Sequence, residues 1–192
     1  MLTFDPSNHS YRFSGRPVPS VTQLLQHLHS FEGVPHDVLE AAKERGTAVH
    51  LTTELFDKDD LVEDTLDPVL TGYLKGWRQF KADHKARFVG IEKRVYHPTF
   101  RYAGTYDRKG YLDGGPEVWR LDIKTSIQSH PVWGLQTAAY ERADNPLPGD
   151  RRGTVQLRPD GTYRFHEWTD AADWPTFVSL ASLHHWTQKH AK

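Results

Sequence analysis

The sequence predicts a mixed α/β domain, in which helices come before, between and after a group of strands. Its 192 residues fit one ordinary domain or at most two very small ones. Aromatic residues make up 12% of the chain, and such large rings need a core to pack in. Helical and strand-like apolar spacings alternate along the sequence. We therefore expect a single domain over residues 1–192, with residues 1–35 forming a hairpin and a short helix against its core.

The composition excludes several classes of protein. The chain has no cysteine, which excludes disulfides, thiolate zinc sites, iron–sulfur clusters and a cysteine nucleophile. No apolar run approaches the length of about 18 residues that a membrane span needs. The segment from Met1 to Pro6 lacks the basic and apolar regions of a secretory signal. We expect a soluble, cytoplasmic protein with no membrane partner. Its net charge of −1 gives no overall basic field.

The first half of the chain predicts a hairpin followed by three helices. Two short segments around Ser14-Gly15 favour the hairpin, and Ser20 suits the N-cap of a short helix. Apolar residues then recur at helical spacing over two longer segments. These elements are strands Ser10–Phe13 and Arg16–Val18, and helices Ser20–Leu28, His36–Phe56 and Leu66–Ala86.

The second half predicts three strands, a helix, a second hairpin and a final helix. The run Asn145–Gly149 ends the middle helix, and the turn Arg158–Gly161 joins the hairpin strands. Asp173, followed by Trp174-Pro175, starts the last helix. The elements are strands Phe88–Tyr96, Tyr102–Leu112 and Glu117–Thr125, helix Val132–Ala143, strands Arg152–Leu157 and Thr162–Trp168, and helix Asp173–His190.

The strand Val118–Thr125 carries the most informative residues. Its alternation places Asp122 and Lys124 on one face. If Gly114-Gly115 forms a two-residue turn, paired positions sum to 229, and 107 + 122 = 229 puts Asp107 directly opposite Asp122 at about 5 Å. Two facing carboxylates repel unless a cation lies between them, and a hard divalent cation suits that position. Neutralisation by Lys124 alone, in a salt-bridged cluster without metal, is the alternative.

Four other side chains are candidates for the same site. His50 lies on the apolar stripe of the long helix, where it is either a ligand or a packed core histidine. Glu92 either joins the carboxylate cluster or lies on the surface beside Lys93. Gln136 and Tyr140 are neighbours at i and i+4 on one helix, and both can form hydrogen bonds. A tyrosine at that spacing is also an ordinary core residue.

The charges are unevenly distributed. Between Glu54 and Asp67 there are seven acidic residues and one lysine, whereas eight basic and two acidic residues lie between Lys75 and Arg101. These segments form either two solvated helix faces or a basic surface that meets a polyanion. The candidates for phosphate contact are Arg78, Lys81 and Lys85, which share one side of the predicted helix, and Arg94.

Five short motifs in a fixed order resemble the RecB-like branch of the PD-(D/E)XK nucleases. They are Arg45-Gly-Thr-Ala-Val-His50, Glu92, Ala103-Gly-Thr-Tyr-Asp107, Leu121-Asp-Ile-Lys124-Thr125 and Gln136-Thr-Ala-Ala-Tyr140. His9-Ser-Tyr11 and Val18–Thr22 also resemble the opening of stand-alone, phage-type exonucleases of this group. The resemblance covers about residues 9 to 168. Some members of the family hold an iron–sulfur cluster, which a chain without cysteine cannot.

The resemblance implies a restriction-endonuclease-like core, with a mixed central sheet flanked by helices, and a site for Mg²⁺ or Mn²⁺. The metal ligands would be His50, Asp107, Asp122 and the carbonyl of Ile123. Lys124 would orient or deprotonate the attacking water, and the catalytic set would be completed by Asp122, Asp107, Glu92, Gln136 and Tyr140.

The resemblance implies that the protein hydrolyses single- or double-stranded DNA as an exonuclease. It also implies a role in recombination or DNA-end processing in a bacterial or phage-infected cell. This function is compatible with a single-strand annealing or recombination protein as a partner. It is also compatible with an oligomer. The alternative from another class is a non-catalytic nucleic-acid-binding or assembly module. A third is a metal hydrolase acting on a small phosphoester. We interpret His27, His29, His184, His185 and His190 as surface residues rather than a zinc site.

Overall fold

Two sheets and five α-helices organise the residues described by the computed structural model, 1–28 and 35–191. The small sheet contains β1 (Leu2–Asp5), β2 (Ser10–Phe13) and β3 (Arg16–Val18). The large sheet contains β4 (Arg87–His97), β5 (Tyr102–Tyr111), β6 (Trp119–Lys124), β7 (Arg151–Leu157) and β8 (Tyr163–Glu167). The helices are α1 (Val21–Leu25), α2 (His36–Asp57), α3 (Pro68–Asp83), α4 (Val132–Ala143) and α5 (Asp173–His190), with short 3₁₀ turns at Gln26–Leu28 and Glu63–Thr65.

The large sheet is mixed and has the order β4-β5-β6-β7-β8. Strands β6 and β7 are parallel, and α4 forms the crossover between them, whereas the other neighbouring strands are antiparallel. The predicted α+β architecture, a mixed central sheet flanked by helices, is confirmed. Among the described residues, no helix combines the length and the hydropathy that crossing a bilayer requires.

Two hydrophobic clusters hold the helices on the large sheet. In the first, α1, α4 and α5 pack against β4 and β5, around Tyr102, Tyr106 and Phe177. In the second, α2 and α3 pack against β6 and β7, around Trp77 and Ile123. The two clusters lie on either side of β6, so that its polar residues are buried as well as its apolar ones.

The N-terminal segment joins the large sheet through specific contacts. Strand β1 pairs with β2 and was not predicted, whereas the β2–β3 hairpin was. Ser20 caps α1 as predicted: its hydroxyl accepts a hydrogen bond from the Gln23 N–H at 3.0 Å, and the Gln23 side chain accepts one from the Ser20 N–H at 2.8 Å. The Tyr11 hydroxyl lies 2.8 Å from that of Thr105 on β5. These contacts place the small sheet beside the central strands.

Helix α3 is shorter than predicted. Asp67 caps its first turn through a hydrogen bond from the Val69 N–H, and Pro68 fits the first helical position. At the other end the helix stops at Asp83, and Lys85 has a φ of +45°. Lys85 therefore does not lie on a helical stripe with Arg78 and Lys81, and that part of the prediction is wrong.

Close packing of α3 against the β7–β8 turn requires two glycines. A Cβ added to Gly72 would lie 1.8 Å from the carbonyl oxygen of Pro159, and one added to Gly76 would lie 2.8 Å from that of Thr162. Only residues without a side chain allow this approach. The turn is therefore held against one face of α3.

Replacing Gly72 with alanine should lower the free energy of unfolding by about 1–3 kcal/mol, because the new methyl group overlaps the Pro159 backbone. The matched control is Gly46→Ala in α2, where the added Cβ meets only the Thr125 hydroxyl at 3.6 Å. Because alanine has a higher helix propensity than glycine, Gly46→Ala should raise the free energy of unfolding by up to about 1 kcal/mol. Urea denaturation of both variants measures the difference. Equal stability of Gly72→Ala and the wild type would contradict the packing described here.

Candidate metal and active site

The seven side chains that the sequence predicts for catalysis and metal binding line one cleft of about 370 Å³. They are His50, Glu92, Asp107, Asp122, Lys124, Gln136 and Tyr140. Helix α2, the neighbouring strands β4, β5 and β6, and helix α4 each contribute at least one of them. Residues far apart in the sequence thus meet at one place in the fold.

The register between β5 and β6 is the one predicted from the sequence. The ladder pairs Arg108 with Leu121 and Gly110 with Trp119, and both pairs sum to 229. Asp107 and Asp122 lie one position beyond this ladder. The predicted two-residue turn at Gly114-Gly115 is wrong, since the strands end at Tyr111 and resume at Trp119.

The Asp107 carboxylate is fixed by two neighbours. Its Oδ2 accepts a hydrogen bond from the backbone N–H of Ile123, and its Oδ1 lies 3.3 Å from His50 Nδ1. The first contact ties β5 to β6 next to Asp122, and the second ties β5 to α2. Whether the Ile123 carbonyl is also a metal ligand stays a prediction.

Glu92 enters the cleft from β4 through an unusual backbone conformation. Its φ is +48°, in the left-handed region that residues with a side chain rarely adopt. Glu92 is left out of the β4–β5 ladder, which pairs Ile91 with Arg108 and then Lys93 with Tyr106. One ligand atom from each of His50, Glu92 and Asp107 lies within 4.8 Å of the others. This is the spacing of a metal-binding cluster.

Asp122, Lys124, Gln136 and Tyr140 form a connected polar chain. Lys124 Nζ lies 2.6 Å from Asp122 Oδ2 and donates a hydrogen bond of 2.8 Å to Gln136 Oε1. The Gln136 amide nitrogen lies 3.1 Å from Asp122 Oδ1 and 3.0 Å from the Tyr140 hydroxyl. Gln136 therefore holds the lysine and the aspartate in place from α4.

Burial and neighbouring charges shift the pKa values of the four titratable groups His50, Glu92, Asp107 and Asp122. Burial, together with the charge on Asp107, raises the pKa of Glu92 to about 8, against the opposing effect of Arg108. Burial alone would lower the pKa of His50, but the charges of Asp107 and Asp122 outweigh it and raise this pKa to about 9. Burial also raises the pKa of Asp122, despite Lys124. For Asp107, the contacts with His50 and Ile123 overcome burial, and its pKa is lowered.

The donor set of the cleft fits a divalent cation. Asp122 Oδ2 is buried and accepts no hydrogen bond of good geometry from any described residue, although Lys124 Nζ is close to it. Carboxylate oxygens with one imidazole suit Mg²⁺ or Mn²⁺. His50, Glu92 and Asp107 would hold such an ion, with Asp122 beside them. Glu92, predicted as a catalytic residue only, thus lies where a metal ligand would.

Sequence reasoning missed Arg108, which supports the cluster from the other face of β5. Its buried guanidinium donates hydrogen bonds to Asp57 Oδ2 at 2.6 Å, to Glu92 Oε1 at 3.0 Å and to the Thr53 hydroxyl at 3.1 Å. It also lies over the ring of Trp77. No motif marks this arginine, because strand alternation directs it away from Asp107.

The predicted phosphate-contacting residues do not form a free basic surface. Arg78 forms an ion pair with Glu63, and Lys81 forms one with the buried Asp57 at 2.5 Å. The guanidinium of Arg94 lies 5.0 Å from the centre of the Phe4 ring, and Lys85 is exposed beyond the end of α3. Phosphate contact by these four residues stays a prediction. Arg78 and Lys81 would have to exchange existing partners for it.

The histidine-rich positions give no second cluster among the described residues. His27, His184, His185 and His190 belong to no group of three ligand-type side chains within the ranges 1–28 and 35–191. His29 lies outside the described residues.

Comparisons with known proteins find structural similarity at low sequence identity. No protein-family model and no curated protein matches the sequence. The structure is similar to an alkaline exonuclease (LHK-Exo) from Laribacter hongkongensis, with 15% identity over 89% of this chain and 80% of that one, and a TM-score of 0.43. It is also similar to the crystal structure of SSO0001, with 17% identity over 62% of this chain and a TM-score of 0.41; the match spans only 57% of that protein. These values do not establish a shared activity.

Proposed function

We propose that the protein is a divalent-metal-dependent nuclease with a restriction-endonuclease-like core, and that it hydrolyses phosphodiester bonds of DNA. The observation that carries the proposal is the convergence of His50, Glu92, Asp107, Asp122 and Lys124 in one cleft. The ligand atoms of His50, Glu92 and Asp107 lie close enough together to hold one cation, and the Lys124 ammonium beside Asp122 suits an anionic substrate.

Each group has a distinct role in this proposal. A bound Mg²⁺ or Mn²⁺ would supply the positive charge that stabilises the pentavalent phosphorus and eases deprotonation of water. Lys124, which Gln136 and Asp122 hold at the edge of the cleft, orients the attacking water and offsets charge on the scissile phosphate. Arg108 is a positioning residue, since its guanidinium holds the Glu92 carboxylate.

The finer parts of the proposal depend on the motif resemblance. DNA rather than RNA as the substrate, attack from an end, and a role in recombination or end processing follow from the phage-type exonuclease pattern. One observation favours the competing non-catalytic module. The Asp122–Lys124 ion pair at 2.6 Å already gives one carboxylate a cationic neighbour without a metal.

End-labelled linear DNA and circular DNA of the same sequence, incubated with Mg²⁺, test the proposal. We expect the linear DNA to be degraded progressively from its ends, the circle to stay intact, and a chelator to stop the reaction. Cleavage of the circle would make the enzyme an endonuclease. Binding of DNA without cleavage at any metal concentration would support the non-catalytic module.

A further inference from the structure

A second cleft adjoins the candidate active site and has no role in the proposed chemistry. It has a volume of about 540 Å³ and lies between α3, the segment that follows β6, and the β7–β8 turn. Arg45, Thr125 and Arg158 line it, together with the apolar side chains of Val69 and Ile127.

Arg45 and Arg158 are half-buried arginines without the carboxylate partners that the fully buried arginines of the protein have. The Nε atom of each is buried and has no hydrogen-bond partner, and neither guanidinium forms an ion pair with a described residue. The buried guanidiniums of Arg108, Arg120 and Arg152, in contrast, all contact carboxylates. A buried donor without an acceptor is costly, so two of them in one cleft indicate an anionic ligand.

Asp160 also lines the cleft but forms no ion pair with either arginine. Its Oδ1 accepts hydrogen bonds from the Thr162 N–H at 2.9 Å and the Thr162 hydroxyl at 2.6 Å. These hydrogen bonds, and to a smaller extent the charge of Arg158, lower the pKa of Asp160. The guanidiniums remain available to a ligand.

The second cleft borders the first. Arg45 precedes Gly46, which lines the active-site cleft, and Thr125 follows Lys124, which lines it too. A Cβ on Gly46 would lie 3.6 Å from the Thr125 hydroxyl, so the two segments touch where the clefts meet. A ligand spanning both clefts would pass from the metal ligands to the two arginines.

The rest of the cleft is apolar and firmly held. Ile127 is 88% exposed and Val69 is 61% exposed, so both present apolar surface at the cleft. Because Gly72 fixes the Pro159 turn on α3, the cleft exists before a ligand arrives. Anion-binding donors beside apolar surface match one nucleotide, with its phosphate and its base.

We propose that this cleft binds the nucleotide next to the scissile phosphate of the substrate strand. Arg45 and Arg158 bind its backbone phosphate, and Ile127 and Val69 contact its base. The strand is single-stranded at this point, since the base must leave its stack to reach an apolar wall. The proposal rests on the proposed nuclease function for the direction of the strand, but its test does not need turnover.

The test is the affinity of the full chain for a fluorescent single-stranded oligonucleotide, measured by anisotropy in Ca²⁺ over a series of salt concentrations. Arg45→Gln and Arg158→Gln should each weaken binding about tenfold and flatten the salt slope by about 0.7, the contribution of one phosphate contact to a single strand. Arg158→Lys keeps the charge and should keep the slope. Ile127→Ser should weaken binding by a smaller factor without changing the slope.

The control is Lys189→Gln, which removes one positive charge from the exposed end of α5 and should change nothing. Thermal melts identify any variant that fails to fold, and Arg158, on an exposed turn, provides the test if Arg45→Gln does so. Wild-type affinity and slope in the folded glutamine variants would overturn the proposal. So would equal losses in Lys189→Gln. Absence of cleavage by the wild type with these binding effects intact would instead count against the nuclease function alone.

Discussion

Replacing Lys124 with alanine should reduce the rate of DNA cleavage by about 10²–10⁴-fold, the usual contribution of a group that acts on the proton or charge of the reacting atoms. Metal affinity should not fall, because the substitution removes a cation that lies 2.6 Å from Asp122 Oδ2. DNA affinity should stay close to that of the wild type. The loss therefore lies in the chemical step rather than in assembly of the site.

Single-turnover cleavage, Mn²⁺ calorimetry and DNA anisotropy on the same preparation separate these effects. Lys189→Ala is the matched control, since it removes an exposed lysine at the far end of α5. Unchanged cleavage by Lys124→Ala would refute the role given to this residue. A parallel loss of metal binding would show that it supports the ligands instead.

Asp122→Asn should weaken divalent-metal binding at least tenfold and lower cleavage at limiting Mg²⁺. A neutral amide is a poorer ligand for a hard cation than a carboxylate. The substitution also removes the charge that faces Lys124. Raising the Mg²⁺ concentration should restore part of the activity, which it cannot do for Lys124→Ala. This difference distinguishes a ligand from a residue that acts on the water or the phosphate.

The control for this variant is Asp113→Asn, a substitution of an exposed aspartate outside the cleft. Calorimetry with Mn²⁺ and cleavage over a range of Mg²⁺ concentrations provide the two readouts. Metal affinity equal to that of the wild type would mean that Asp122 serves only in an ion pair with Lys124.

The sequence predicted the register between β5 and β6 correctly, although the predicted turn was wrong. In an antiparallel hairpin, the residue numbers of every pair have the same sum. This sum does not change when the loop lengthens symmetrically, because each lost pair removes one residue from both strands. The stretch between the last pair, Gly110 and Trp119, runs from Tyr111 to Val118 and is centred on Gly114-Gly115, so the register stays at 229. Alternation along β6 was equally reliable, since Trp119, Leu121 and Ile123 all enter the second cluster.

The conformation of Glu92 could not be predicted from the sequence. The backbone preference of glutamate disfavours a positive φ, so tertiary contacts must hold Glu92 in this conformation. The contact that orients its carboxylate comes from Arg108, which is next to Asp107 in sequence but on the opposite face of β5. Alternation separates these two residues, whereas the actual site uses both.

The ion pairs of Arg78 and Lys81 could not be predicted from the sequence for a different reason. Spacing along a helix predicts which charges share a face, but it does not show which acidic residues meet them. The acidic segment that precedes α3 supplies Asp57 and Glu63, which pair with Lys81 and Arg78. Arg45, the first residue of the motif that ends at His50, and Arg158 each have a buried Nε without a hydrogen-bond partner among the described residues, and helical spacing does not indicate either of them.

The central claim is that the cleft holds a divalent cation on which cleavage depends. Its most direct test is a Mn²⁺ titration of the wild-type protein in which metal occupancy and the rate of cleavage of linear DNA are followed in the same samples. We predict that the rate rises in proportion to occupancy and returns to background when a chelator removes the metal. Cleavage that persists in excess chelator, or full occupancy without cleavage, would contradict the claim.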